Sequence, residues 1–302
     1  MAGTTYVGTD VTLPTFIIIG AAKSGTTSLY RYLEQHPAVF MSPVKETLFF
    51  APDWWGGPEG GGRGVQTLEA YEALFAGADA ARAIGEASPQ YLSSKEAAAR
   101  IKSVVPDARL IAILRDPAER AYSAFLHLVR DGAEPIKDFP AALAAEEQRV
   151  GDVDDPIWLY REGSQYADQL ERYYEHFRPE QLRVYLYEEF AADPVRVTQD
   201  ALEFVGVGGD FVPDVSLRFN PGGVPRSERL HRVVGGDGRL RQAMMRWLPP
   251  ALGRDVLVRV INRNLVKPEL PEDMRRELAA SFVPDIERVE KLLQRDLSAW
   301  KP

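Results

Sequence analysis

The stretch Ile17–Leu33, IIIGAAKSGTTSLYRYL, decides the fold. Its opening belongs to TFIII (15–19), a continuous β-branched apolar run of the kind a strand buried on both faces requires. A glycine-bounded turn follows, and TSLYRYLEQH then carries helical spacing. A strand, a tight turn and a helix start make an anion site, because the first amides of a helix lack partners and its dipole favours negative charge. Gly20 and Gly25 permit the turn and a close ligand approach. Ser24, Thr26, Thr27 and Ser28 add hydroxyl donors. The two glycines have the spacing of the nucleoside-triphosphate loop G-x-x-x-x-G-K-[ST], but Thr26 stands where its lysine belongs. The loop's lysine is Lys23. A triphosphate with Mg²⁺ would lose its usual cation here, whereas one lysine suits a 5′-phosphate ligand of lower charge density that needs no metal.

Outward from this loop, apolar runs alternate with helical patterns. ARAIG (81–85) reads as a weaker strand, KEAAARIKSVV as a helix and RLIAIL (109–114) as a strong buried strand. DPAERAYSAFLHLVRDG (116–132) is a helix with clear ends: Asp116 caps it, Pro117 fits its first turn, Glu119 completes a capping-box pattern and Gly132 stops it. SQYADQLERYYEHF is helical, LRVYLY (182–187) a strand and DPVRVTQDALEFVGV a helix. The last helix, PEDMRRELAASFVPDIERVEKLL, should break or kink at Pro284. Strands alternating with helices imply βαβ units and a central parallel sheet. The expected organisation is one domain over 1–302, with an N-terminal extension at 1–14, acceptor-side loops or insertions at 52–66 and 133–165, and a mobile lid at 220–262.

Composition bounds the function. The chain has 302 residues, 45% of them hydrophobic, with a formal net charge of −8 and no cysteine. The acidic balance argues against nucleic acid or an anionic membrane surface as the main partner. Disulfides, thiolate catalysis and cysteine metal sites are excluded, and the four histidines show no metal-ligand spacing. The N-terminus lacks a signal-peptide pattern, and FIII is far too short to span a bilayer, so a cytoplasmic protein is expected. Oligomeric state is not legible. AKSGT lacks the serine-hydrolase elbow, and GGDGRL (235–240) lacks the third glycine of a dinucleotide fingerprint.

A second anion site stands at the end of RLIAIL. Arg115 follows that strand at its carboxyl end, where open parallel sheets bind ligands. Ser123 and His127 lie four apart on one face of the next helix, with Arg130 nearby. A strand-end arginine and a helix serine suit a dianionic phosphate. The competing reading is a surface Arg115 paired with Glu119. Arg120 reads as a surface ion pair.

GAAKSGTTSL resembles the 5′-phosphosulfate loop of sulfotransferases that use 3′-phosphoadenosine 5′-phosphosulfate (PAPS), and the resemblance extends from about Thr15 to the C-terminus. It is nearest to the bacterial and heparan-type branch rather than the cytosolic aryl branch. It implies a P-loop-NTPase-like three-layer α/β/α fold, with extra helices and loops over an acceptor cleft. It also implies PAPS as donor, adenosine 3′,5′-bisphosphate as product and no metal. The family's 3′-phosphate motif, an Arg and a Ser eight residues later, falls on Arg115 and Ser123. NPGGVPRSERL (220–230) lies where the family has a late basic loop, which nominates Arg226 and Ser227. The family's Lys-Glu-x-x-Phe-Phe falls on SPVKETLFFAPD, so Glu46 inherits the general-base role and Lys45 steers charge. IGEASPQYL (84–92) resembles a segment lining the acceptor cleft, placing Glu86 and Ser88 at a strand end facing the pocket, with Glu86 the runner-up base. Ala87 stands where heparan enzymes often have Lys, which weakens any claim for a polyanionic sugar. His127 is a leaving-group contact. Trp54, Trp55, Trp158 and Tyr160 are candidate acceptor walls. The rival functions are a P-loop nucleotide kinase and a non-catalytic nucleotide-binding module.

Overall fold

The computed structural model describes residues 12–54, 64–149, 158–216, 223–226, 264–266 and 268–302. Five parallel strands form its central sheet in the order β2-β3-β1-β4-β5: β1 Phe16–Gly20, β2 Val39–Met41, β3 Ala83–Ala87, β4 Arg109–Leu114 and β5 Leu182–Leu186. Every residue of β1 is buried, as is every residue of β4 after Arg109. Strand alternation divides them between two faces. Ile17, Ile19, Leu110 and Ala112 pack into one core, against α3 (Ala97–Val104), α4 (Pro117–Asp131), α6 (Ala167–His176) and α9 (Glu272–Leu293). Phe16, Ile18, Ile111 and Ile113 pack into another, beneath α1 (Thr26–Leu33) and α8 (Pro194–Val205). The result is the expected three-layer α/β/α sandwich.

The chain runs from β1 through α1 out to β2, pairs back through β3, and then crosses β1 to reach β4. Connections therefore leave β1 in opposite directions, and the crevice at its carboxyl end is the switch point where open α/β sheets bind ligands. The glycine-bounded loop and Arg115 both lie at that end. Gly85 of β3 makes close packing possible, because a Cβ there would strike the Phe16 ring and Met41 Sδ. Gly85→Ala is expected to destabilise the protein by about 1–3 kcal/mol, the usual cost of overpacking a filled core, measured by denaturant unfolding.

The structure differs from expectation in several places. β3 lies two residues later than ARAIG, ending at Ala87, because the charged Glu86 interrupts the apolar run that marks a strand. The short edge strand β2 and the short helix α2 (Leu68–Glu72) carry no signal of their own. Within the 133–165 insertion, Phe139–Arg149 forms helix α5. The final helix does not break at Pro284 but runs from Glu272 to Leu293. Burial of Leu278, Phe282, Ile286 and Val289 holds it against α4 and α6. Four such side chains contribute roughly 1.5–3 kcal/mol each, more than the ~3 kcal/mol a helical proline costs. Of the 220–262 segment, only 223–226 falls within the described residues. There β6 (Val224–Pro225) pairs antiparallel with β7 (Leu265–Val266) and packs on α4. Among the described residues, no helix is long and apolar enough to cross a membrane.

Candidate active site

The anion site forms where β1 ends. Gly25 sits at φ 90°, a left-handed conformation, and a Cβ there would meet the Phe190 ring at 3.1 Å. Lys23 also takes a positive φ, 71°, without being glycine. That strain persists only where surrounding structure fixes it, and it gathers at functional loops. No side chain caps α1, and its first turn holds no acidic residue, so the helix start remains open to an anion. Ser24 is fully buried, and its Oγ has no hydrogen-bond partner among the described residues. A buried hydroxyl left without a partner is costly unless a ligand supplies one. Burial, reinforced by the charge of Arg130, lowers the Lys23 ammonium from the ordinary lysine range to about 7. These features fit a phosphate group: an orphaned donor, an uncapped helix start, and a buried lysine whose ammonium a further negative charge would favour.

Arg115 lies beside this loop, and both it and Ser123 of α4 are buried. The Arg115 guanidinium donates to the Lys23 carbonyl at 3.4 Å and to Glu119 Oε2 at 2.6 Å, and it stacks 4.8 Å over the Tyr187 ring. The pairing with Glu119 therefore exists, but it is buried and joined to the phosphate loop rather than on the surface. It also draws Glu119 away from a reciprocal capping box. Asp116 caps α4 alone, accepting from the Ala118 and Glu119 amides. Arg226 is exposed, and its amide donates to the Asn264 carbonyl at 2.7 Å. Ser227 and Trp55 lie outside the described residues.

A cleft of about 900 Å³ opens from the loop, lined by Lys23, Thr26 and Thr27 at one end and by Glu46, Trp54 and His127 beside them. Glu46 (φ 65°) and Leu48 (φ 54°) are strained as Lys23 is, so the backbone at 46–48 is another fixed irregular segment. Partial burial alone would raise the Glu46 carboxyl. The charge and hydrogen bond of Lys45, the Gln90 amide and the charge of Lys23 together hold it below the usual carboxylate range. Lys45 Nζ bonds one Glu46 oxygen, and Gln90 Nε2 donates to the other at 3.0 Å. Arg130 donates to His127 Nδ1 at 2.6 Å. A guanidinium only donates, so Nδ1 is an acceptor and the imidazole proton sits on Nε2. Burial and the charge of Lys23 pull the His127 pKa to about 4, keeping the ring neutral at pH 7.

Other expected site residues fall elsewhere. Glu86 and Ser88, expected to face the pocket, are wholly buried and bonded to each other at 2.5 Å. Burial raises the Glu86 carboxyl to about 7, against the lowering effect of its hydroxyl donors. Tyr160 is no acceptor wall. It is fully buried, and its hydroxyl donates to Glu134, which Arg149 of α5 grips through two nitrogens at 2.8 and 3.0 Å. Trp158 packs on the core, and its neighbour Leu159 faces the cleft instead. Arg120 is not a surface ion pair either. It is buried in the cleft floor, donating to Ser164 Oγ at 2.6 Å and to the Tyr160 carbonyl at 2.8 Å. Its helical position pointed inward, as the apolar face of α4 would have shown. Gln90 was missed for a different reason, because an exposed-looking amide in a loop carries no spacing signal.

Comparison with known proteins agrees with this geometry. The sulfotransferase family profile matches residues 64–210. A crystal structure of a sulfotransferase from Alicyclobacillus acidocaldarius superposes with a TM-score of 0.74 at 38% identity, covering 96% of this chain and 99% of that one. The chain belongs to the sulfotransferase family. Among other relatives, the bifunctional heparan sulfate N-deacetylase/N-sulfotransferase 3 of Homo sapiens is 30% identical over 233 residues, covering 69% of this chain and 24% of that protein. The heparan sulfate glucosamine 3-O-sulfotransferase 3B1 of Mus musculus is 29% identical over 208 residues, covering 69% of this chain and 50% of that one. The chain thus spans about a quarter of the length of the bifunctional relatives.

Proposed function

We propose that the chain moves a sulfuryl group from PAPS to a hydroxyl of a carbohydrate, lipid or natural-product acceptor held in the cleft. When bound, the donor supplies an activated sulfuryl group whose departure leaves charge on the 5′-phosphate. The loop amides of 23–28 and the Ser24 hydroxyl would hold that phosphate, and Lys23 would balance its growing charge. Arg115 and Ser123 would hold the 3′-phosphate. Glu46 would accept the acceptor's hydroxyl proton, and the Nε2–H of His127 would donate a hydrogen bond toward the transferred group. Catalysis of this kind is mostly positioning and charge stabilisation.

The observation that carries this reading is the hydrogen bond from Arg115 to the Lys23 carbonyl, which joins the two anion sites into one. The cleft favours an acceptor that is not a polyanion. Its arginines each give at least one donor to a protein carbonyl, Arg120 at Tyr160, Arg161 at Leu143 and Arg172 at Ser93. Glu147, Glu162 and Asp168 stand on the same walls.

Calorimetry tests the donor assignment. Adenosine 3′,5′-bisphosphate is expected to bind about tenfold or more tighter than adenosine 5′-monophosphate, as charge-assisted bonds to a buried arginine imply. Ser123→Ala or Arg115→Ala should erase most of that difference while leaving monophosphate binding in place. Equal affinity of the wild-type protein for both nucleotides, or tighter binding of ATP, would refute the assignment.

A further inference from the structure

Glu86 buries a carboxylate where simple packing would serve stability better. An isolated ionised side chain in a protein interior is expensive, and well-packed apolar residues of similar size are often at least as stable. The hydrogen bonds around it show what that carboxylate holds. Thr47 Oγ1 donates to Glu86 Oε1 at 2.9 Å, and Ser88 Oγ donates to the same oxygen at 2.5 Å. Tyr71 donates to Oε2 at 3.4 Å. A hydroxyl has a single proton, so Thr47, which spends its own on Glu86, accepts from the Tyr91 hydroxyl 3.0 Å away.

Three of these hydroxyls, those of Ser88, Thr47 and Tyr91, also face the loop that follows Glu46. The Leu48 amide donates to Ser88 Oγ at 3.3 Å, the Phe49 amide to Thr47 Oγ1 at 3.5 Å and the Phe50 amide to the Tyr91 hydroxyl at 3.4 Å. Three successive amides are thereby received by hydroxyls whose protons all lead to one carboxylate. The same segment carries the positive φ angles of Glu46 and Leu48, which need outside constraint to persist. Its near end is pinned by the Glu46 amide donating to the Ala87 carbonyl at 2.8 Å, one residue beyond Glu86.

We propose that Glu86 is a positioning residue, acting through the Thr47, Ser88 and Tyr91 hydroxyls to fix the strained 46–50 segment so that the Glu46 carboxylate is presented to the cleft. The inference rests on Glu46 being the proton acceptor. In its ionised form, reached as pH rises through the value of about 7 to which burial lifts it, the carboxylate accepts only, and so sets the direction of the hydroxyls around it. Glutamine at the same place would offer a donor on one side and reverse part of the network.

Thr47→Val keeps the shape of the side chain and removes the central hydroxyl, and Glu86→Gln changes the carboxylate itself. Amide hydrogen exchange of the unliganded protein and turnover of an acceptor found by screening hydroxyl compounds with radiolabelled donor are both measured. Exchange at Leu48, Phe49 and Phe50 is expected to quicken about tenfold or more in Thr47→Val, as local opening becomes easier. kcat should fall by roughly 10–100-fold, the order that a small misplacement of a reacting group costs. Affinity for adenosine 3′,5′-bisphosphate should stay within about twofold, because that ligand's contacts lie on the other side of β1. Thr47→Ser should restore both exchange and kcat. In a Glu46→Gln background, Thr47→Val should lower kcat no further, since both changes act through one carboxylate. A merely structural role gives a different pattern, in which bisphosphate affinity falls together with kcat, or the two substitutions multiply. Either result overturns the inference, as does normal kcat in Thr47→Val. If Glu46→Gln alone retains full kcat, the proton-acceptor reading fails and takes this inference with it. Loss of kcat in Glu46→Gln with normal turnover in Thr47→Val removes the positioning role alone. Should Glu86→Gln not fold, the Thr47 variants still decide the matter.

Discussion

Replacing Lys23 with methionine is expected to lower kcat/KM for the donor by about 10²–10³, the range seen when one preorganised group is removed from a site of developing charge. The side chain stands on a backbone held at a positive φ inside the glycine-bounded loop, and it lines the cleft. Burial and Arg130 depress its pKa to about 7 in the unliganded protein. A bound dianion reverses that depression, so the nucleotide binds the protonated lysine. The sign follows directly. Below pH 7 the ammonium is already formed and bisphosphate affinity is flat. As pH rises through about 7 the protein must take up a proton to bind, and Kd rises by up to tenfold per pH unit. Calorimetry in buffers of different ionisation enthalpy should detect this uptake in the wild type and find none at this site in Lys23→Met. Folding stability shows the same group from the other side. Its folded pKa lies below that of an unfolded lysine, so the unfolded chain binds more protons between about 7 and 10, and stability rises with pH across that window. In Lys23→Met that contribution disappears. A methionine variant with undiminished kcat/KM and an unchanged pH profile would remove Lys23 from the chemistry.

The glycine-bounded loop was readable in the sequence because its information is local. A continuous β-branched run, a glycine pair and a hydroxyl-rich helix start are contiguous, and they produce β1, the loop and the start of α1 within a residue of expectation, although α1 ends three residues earlier, at Leu33. RLIAIL and the Asp116 and Gly132 ends of α4 were equally plain, since capping and periodicity act over a few residues. The acceptor half depends on what distant elements do to a side chain. Glu86 looked like a strand-end carboxylate facing a pocket, and only the approach of Thr47, Tyr71 and Tyr91 from other segments turns it into a sealed hub. Tyr160 looked like an aromatic wall until Glu134, held by Arg149 of α5, was placed against its hydroxyl. Arg120 lies in the first turns of α4, a few residues after Arg115, and it is enclosed because the turn at Glu162–Ser164 packs over it, with Gly163 closely approaching its guanidinium. No spacing rule encodes such closures, because they are properties of the packed molecule rather than of the chain.

That division also separates two kinds of specificity. In the proposed reaction donor recognition would use backbone amides, a buried arginine and a helix start, groups that a substitution elsewhere hardly moves. Acceptor recognition would use a wall assembled from the 46–54 segment, the turn near 90 and the 158–172 region. A change of acceptor would then call for changes in this wall rather than in the loop, and the names of the heparan sulfate relatives are not carried over to it.

Glu46→Gln is expected to lower kcat by about 10²–10⁴, the usual worth of a positioned general base, while leaving bisphosphate affinity nearly intact. The amide keeps the size of the side chain and can still bond a neighbour, so the loss isolates proton acceptance. Two alternatives for that proton, Glu86 and His127, are closed by the surrounding geometry. Glu86 is wholly buried and cannot reach a cleft ligand. The Nδ1 of His127 receives Arg130 and its Nε2 already carries a proton. The Glu46 carboxylate is held below the usual range, chiefly by Lys45 against the opposing effect of burial, so it is ionised throughout neutral pH. A base held so low is also a weak one, and Lys45 is the reason. Lys45→Met should raise the Glu46 pKa toward the ordinary value near 4.3 or above it, moving the acid limb of the kcat profile to higher pH. The wild-type profile is then asymmetric. Activity is retained on the acid side down to the carboxylate range, and donor kcat/KM is lost on the alkaline side as Lys23 deprotonates through about 7. An acid limb that stays in place in Lys45→Met, or a Glu46→Gln enzyme with full kcat, would show that the hydroxyl proton leaves by another route.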